Sequence, residues 1–389
     1  MFAVLRSARK GLRFLIPSLL ALSLAACDTF PTTGGGVRTG DPVQVALLVP
    51  SGSGRGTDEL LAQSLENAAR LAIRDLNGAA IDLRVYQTAG DASLAAANAD
   101  KAVNEGAKII IGPVYAAAAN AAGTAVAGRG VSVLSFSNNA AIAGGNVFVL
   151  GPTFQNTASR MASFAASQGK QRFVVVHGSD VAGQQGRNAI QNAVAAQGGS
   201  VVANVGYALS QQDVIATIPQ IAAAVTDNGA DAIFFTTDSA TALPLLSQLL
   251  PEAGVSSDVA QFIGLTRWDI PPQTLSLPGV QNSWFAIPDP DAAAAFSNQY
   301  QAAYGAAPHP IGGLAFDAIA AIGALASSGA ADSLSTASLT QAAGFGGASG
   351  IFRLNANGTN SRGLAVATIS EATVQILDRA PQRFGAAGF

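Results

Sequence analysis

The chain has 389 residues, 49% hydrophobic and 12% charged, enough for two domains of ordinary size and too apolar for a disordered protein. The net charge is −3, and no basic patch stands out beyond the first 13 residues, which argues against a nucleic-acid surface. Cys27 is the single cysteine and His177 and His309 are the only histidines, so an intrachain disulfide and a cysteine-held metal cluster are excluded, and a histidine-rich metal site is unsupported.

Residues 1–27 read as a secretory leader. Arg6, Arg9, Lys10 and Arg13 make a basic start, and residues 14–26 form an apolar run too short to span a bilayer. Without those four cations, 17 basic residues face 24 acidic ones, a charge of about −7. The run ends in Leu24-Ala25-Ala26-Cys27, which resembles the bacterial lipobox. That resemblance implies acylation of Cys27 and a lipid anchor holding the mature protein on a membrane, facing the periplasm of a bacterial cell envelope. Residues 28–42 are a Thr/Pro/Gly tether, spanning roughly 20 Å root-mean-square if flexible.

From Val43 the pattern alternates strand and helix. Residues 43–49 (VQVALLV) predict a strand, followed by a Gly/Ser loop and a helix on which Leu61, Leu65, Ala68, Ala69, Ala72 and Leu76 recur at helical spacing. Strands follow at 81–86, 109–111, 131–134 and 147–150, with helices at 92–104 and from Tyr115. The run of Ile109, Ile110 and Ile111 has the composition of a strand buried on both faces. Gly112 and Pro113 end it, and the alanine-rich helix after it starts where open parallel sheets bind ligands. Exposed N–H groups at such a helix start can hold an anion.

After Gly151-Pro152 the pattern restarts. Helices are predicted at 157–167, from 184, at 214–225 across Pro219, and after 239; strands at 173–176, 201–205, 232–235 and 261–264. Residues 283–287 read as a strand returning between lobes, 296–304 and 314–327 as helices. Residues 351–354 and 364–369 read as an antiparallel pair joined through Asn355-Ala356-Asn357-Gly358, and 374–377 as one more strand. Two βα arrays in succession predict an α/β protein of two doubly wound parallel-sheet lobes.

No catalytic constellation emerges. Gly52 to Thr57 fails the dinucleotide fingerprint at its third glycine, and Gly178 to Gly183 has P-loop spacing with Gln184 at the lysine place. There is no G-x-S-x-G elbow. A binding role without cofactor or metal, and no enzymatic activity, is therefore expected. Asp180, Asp238 and Asp317 each read as a cap or a solvated loop carboxylate. Polar loops at strand ends in both arrays favour a cleft between lobes.

The segments IIIGPVYAAAANAA, VSVLSFSNN, VFVLGPTFQN, VVVHGSDVAGQQG, AIFFTTDSATALPLLSQL and GLAFDAIAAI, in that order, resemble the type I periplasmic binding proteins of the leucine-binding group. The resemblance implies two lobes joined by three crossovers, with a small amino-acid-like or peptide-like ligand between them and an ABC-type permease as partner. It divides the chain into 43–150 plus 287–345, 151–286 plus 346–378, and a loose tail 379–389. It places Tyr115, Ala117, Ser137, Asn138, Asp180, Asp238 and Arg267 around the ligand. The family's carboxylate-holding hydroxyls fall near Ala116 and Ala117, its aromatic contact near Ala182, and its amine-pairing acid near Thr241, with Asp238 close by. A lipobox on such a body is also similar to the penicillin-binding protein activators, which stimulate a peptidoglycan synthase by contact; this chain lacks the long helical-repeat region of their enteric members.

Overall fold

Residue alternation along the first strand builds the first lobe. The structure, a computed structural model, describes residues 41–385; Cys27 and almost all of the tether lie outside the described residues. In β1 (Val43–Val49), Val45, Leu47 and Val49 point to one face and Ala46 and Leu48 to the other. The first set packs on Leu61 and Leu65 of α1 (Gly56–Asp75), the second on the helices that follow. The chain continues through β2 (Ile81–Gln87), α2 (Ala92–Asn104), β3 (Ile109–Ile111), α3 (Ala116–Val126), β4 (Ser132–Ser135) and β5 (Val147–Val149). These strands form one sheet in the order β2-β1-β3-β4-β5, with every pair parallel. Ala95 and Ala99 of α2 and Ala118 and Ala122 of α3 are fully buried. Their small side chains let both helices lie close to the sheet.

The second lobe runs through α4 (Phe154–Ser167), β6 (Arg172–Gly178), α5 (Val181–Ala196), β7 (Ser200–Tyr207), α6 (Gln211–Asp227), β8 (Ala232–Phe235), α7 (Leu243–Glu252), β9 (Gln261–Gly264) and β10 (Trp284–Pro288). Pro219 lies inside α6 without ending it, because the residues around it supply Val214, Ile218 and Ile221 to the core. The chain then returns to the first lobe as α8 (Pro290–Tyr304), α9 (Gly313–Ala326) and the short α10 (Thr336–Leu339). Phe296 and Tyr300 of α8 and Leu314, Ile319 and Ile322 of α9 share the core of α1 and β1.

The C-terminal strands are β11 (Phe345–Gly347), β12 (Gly350–Leu354), β13 (Asn360–Arg362), β14 (Leu364–Ser370) and β15 (Thr373–Asp378). Here the structure corrects three expectations. First, β12 pairs with β11 and β13, whereas β14 pairs antiparallel with β10 and β15. The second sheet is therefore mixed, in the order β15-β14-β10-β9-β8-β6-β7. Second, Phe352 and Leu354 of β12 are buried in the first lobe's core, so the chain leaves that lobe at Gly363 and not at 346. Third, the described part of the tail, 379–385, is tied to the body at three points: Ala380 is buried, Gln382 Nε2 donates to Asp289 Oδ2 at 2.8 Å, and the Arg353 guanidinium lies 4.7 Å from the centre of the Phe384 ring.

Three crossovers join the lobes: 150–153 after β5, Asp289 after β10, and Gly363 between β13 and β14. A buried polar knot binds two of them to α9. Arg362 Nη1 lies 3.1 Å from Asp317 Oδ2, and its Nη2 donates to the carbonyl of Leu150 at 2.5 Å. Asp317 Oδ1 accepts from the amide of Ala348 at 2.7 Å. Asn360 Nδ2 donates to the carbonyls of Val149 and Gly151 at 2.8 and 2.9 Å. Asp317 is thus no solvated carboxylate: its side chain is 0% exposed and that of Arg362 4%. Burial pushes the Asp317 carboxyl up, against the pull of Arg362.

Candidate functional site

The carboxyl ends of β1, β3 and β4 carry one set of loops and those of β6, β8 and β9 another. Gly112 makes the turn after β3. Its φ is +82°, and a Cβ there would lie 2.3 Å from the carbonyl oxygen of Leu48, so only glycine passes. The turn delivers Tyr115 to the start of α3. The Tyr115 hydroxyl donates to Asp58 Oδ1 at 2.6 Å, and Arg55 Nε donates to Asp58 Oδ2 at 2.9 Å. The Arg55 guanidinium also lies over the Tyr115 ring, 5.7 Å from its centre. Gly90 leaves room for that ring, since a Cβ there would come within 2.9 Å of Tyr115 Cε2.

This triad sets the electrostatics of the first edge. The hydrogen bond from Tyr115 holds the buried Asp58 carboxyl below its ordinary range, with Ser53 and Arg55 adding to it against desolvation. The same bond pushes the Tyr115 hydroxyl up. The Arg55 side chain remains 61% exposed. Neither α1 nor α3 has a side chain capping its N-terminus, although in α1 the amides of Asp58 and Glu59 already donate to the Arg55 carbonyl. Ala117 is exposed at the start of α3 and offers only its backbone. Ser137 is buried and its Oγ accepts from the amide of Asn139 at 3.1 Å, while Asn138 is exposed.

The second edge carries carboxylates. Asp180 caps α5, accepting from the amide of Gly183 at 3.1 Å, and is exposed. Asp238, also exposed, accepts from the amide of Ala240 at 3.1 Å and from Thr241 Oγ1 at 2.8 Å. Beside Thr241 lies an apolar pocket of about 300 Å³, lined by Tyr207, Leu209, Val214 and Leu245 among others. Arg267 is not a free cation: its Nε donates to Asp269 Oδ1 at 2.9 Å and its second arm pairs with Oδ2 of the same carboxylate. His177 is buried with Nδ1 2.9 Å from the Gly178 carbonyl, and His309 Nδ1 accepts from the amide of Ile311. Burial pulls the His309 pKa down.

The seven residues expected around the ligand therefore fall on two edges. Tyr115, Ala117, Ser137 and Asn138 lie on the first; Asp180, Asp238 and Arg267 lie on the second. Among the described residues, no hydrogen bond or ion pair joins a loop of one edge to a loop of the other. Nor does any group of three His, Cys, Asp or Glu residues among them have the arrangement of a metal site.

This architecture, two open sheets linked by three crossovers, has a match across most of the chain: residues 42–373 fit the sequence profile described as periplasmic binding protein. The chain belongs to that family. Solved structures of similar fold include a putative branched-chain amino acid ABC transporter from Rhodospirillum rubrum, 18% identical over 87% of this chain and 100% of that one, with a TM-score of 0.73. An ABC transporter substrate-binding protein from Desulfitobacterium hafniense, solved with Leu, is 18% identical over 87% and 100% of the two chains, with a TM-score of 0.61. A solute-binding protein from R. palustris, solved with benzoate, is 18% identical over 90% and 99%, with a TM-score of 0.56. At these identities the likeness is one of fold. Among curated proteins, none matches the chain.

Within this periplasmic binding protein, sequence reasoning missed Arg55 and Asp58. The available signal was an Arg and an Asp three residues apart, directly after the first strand and spanning a helix start. Reading it required knowing that Tyr115, 57 residues away, supplies the third member.

Proposed function

We propose that this protein is a non-enzymatic binding protein that takes a small zwitterionic ligand, amino-acid-like or peptide-like, between its lobes. The observation that carries the reading is the charge division between the two edges. Arg55, paired with Asp58 but with a side chain 61% exposed, and the uncapped start of α3 suit a carboxylate on the first lobe. Exposed Asp180 and Asp238 suit an amine on the second, and the apolar pocket beside Thr241 suits an aliphatic side chain. An ABC-type permease is the natural recipient, in keeping with the relatives whose titles name ABC transporters. No observation favours activation of a penicillin-binding protein over this role.

Closure on the ligand tests the reading. The crossovers at 150–153 and around Pro288 are expected to act as hinges, with little change inside each lobe. Small-angle scattering with a dipeptide shown to bind by calorimetry is expected to give a smaller radius of gyration. An unchanged radius at saturation contradicts a ligand held between lobes.

The protein is placed, on the same reading, at a bacterial membrane surface by acylated Cys27. Among the described residues no helix is long and apolar enough to cross a membrane. Cys27→Ser is expected to abolish metabolic labelling with a palmitate analogue. Equal labelling of the variant and parent refutes the anchor.

A further inference from the structure

After β15 the chain does not run out from the edge of the second sheet; it turns back across the crossovers. Ala380 is buried and belongs to the second lobe's core, as Phe285 and Ile369 do. Pro381 abuts the third crossover: a Cβ on Gly363 would lie 3.0 Å from the Pro381 carbonyl oxygen. Gln382 reaches the second crossover. Its Nε2 donates to Asp289 Oδ2 at 2.8 Å and to the carbonyl of Ala380 at 3.2 Å. Asp289 is buried, and its Oδ1 accepts from the amide of Asp291 at the start of α8 at 3.0 Å. Phe384 then meets the first lobe. Its ring centre lies 4.7 Å from the guanidinium of Arg353 in β12, and its Cε2 stands 2.8 Å from where a Cβ on Gly344 would be. The neighbours of these two residues, Phe345 and Phe352, belong to the first lobe's core.

The segment therefore makes a fourth link between the lobes, beside the three crossovers. The crossovers are covalent and can only bend; this link is held at its far end by contacts that can break. From Ala380 to Phe384 the chain advances four residues, at most about 14 Å when fully extended. The Gln382 bond to Asp289 pins its middle, so there is little slack to take up a rotation. A turn of one lobe about the crossovers has to strip Phe384 from Arg353 or lift Ala380 out of its core. The Phe384 contact yields first, because it lies farthest from the buried anchor. An exposed cation–π contact is worth a factor of about two to five in an equilibrium constant.

We propose that residues 379–385 are a latch across the hinge, which favours the lobe arrangement described here and releases Phe384 from Arg353 when the lobes rotate. The proposal rests on the reading that the lobes close about the crossovers. It adds that the resting balance between open and closed arrangements is set in part by the tail.

Spin-label distance measurement on the full chain tests it. Leu94→Cys in α2 and Ile215→Cys in α6, both exposed, place one label on each lobe in a Cys27→Ser background. Without ligand, Phe384→Ala and Arg353→Gln are each expected to raise the share of distances outside the parent's main population by about two- to fivefold, while Phe384→Tyr, which keeps the ring, stays with the parent. Parent-like distances in both Phe384→Ala and Arg353→Gln overturn the latch, and so does a lowered urea midpoint with unchanged distances, which marks the tail as packing alone. The two readings fail differently. A bound dipeptide that shortens the distance equally in parent and variants, from equal starting distances, keeps closure and removes the latch. A bound dipeptide that shortens it in none of them removes closure itself.

Discussion

Asp317→Ala is expected to destabilise the protein by about 3–5 kcal/mol, the cost of leaving a buried charge without its partner. Arg362 would keep its guanidinium in a site where its side chain is 4% exposed. The amide of Ala348, which donates to Asp317 at 2.7 Å, would lose its acceptor as well. Set against a total stability of about 5–15 kcal/mol for typical folded domains, this loss is large. It also reaches the hinge, because Arg362 is the residue that holds the carbonyl of Leu150 in the first crossover. Urea unfolding followed by tryptophan fluorescence measures it as a fall in midpoint. The paired replacement Asp317→Leu with Arg362→Met is expected to recover most of the loss, since no charge is then buried. A change below about 1 kcal/mol in Asp317→Ala refutes this account of the knot.

Free leucine, isoleucine and valine are expected to bind weakly, with dissociation constants of ~0.1 mM or more. Ala116 and Ala117 give the carboxylate no hydroxyl, and Ala182 gives the second lobe no stacking surface. A hydrogen bond to a charged group contributes about 1.5–3 kcal/mol, so losing two weakens binding by about two to four decades from a micromolar site. Arg55 replaces this only in part, because one edge of its guanidinium is engaged by Asp58. A peptide-like ligand gains what a free amino acid lacks. Its own amide can bond to exposed Asn138 or to the uncapped start of α3.

Much of the fold was legible because its signals are local. The isoleucines of β3, the alternation in β1 and the asparagine-glycine turn after β12 each act over a few residues. The pairing of β14 was not legible. The strand β13 is Asn-Ser-Arg, with no apolar residue to mark it, yet it takes the place beside β12 that β14 was expected to fill. Asp317 likewise looked like an ordinary helix carboxylate because its partner lies 45 residues away. The same limit governs the site. Strand ends placed Tyr115, Ser137, Asp180 and Asp238 on the two edges, but their partners come from other loops. Tyr115 is held by Asp58 across 57 residues, and Arg267, read as a cleft cation, is neutralised by Asp269 two residues on. Composition and spacing find the edge of a sheet; they do not find which side chains there are already satisfied.

The central claim is that the two edges hold a zwitterion larger than a free branched-chain amino acid. Calorimetry of the protein against leucine and against neutral dipeptides tests it most directly. The account predicts no heat, or a dissociation constant of ~0.1 mM or weaker, for leucine, and tighter binding of a dipeptide that Asp238→Ala weakens. A micromolar dissociation constant for leucine, abolished by Asp238→Ala, would contradict it.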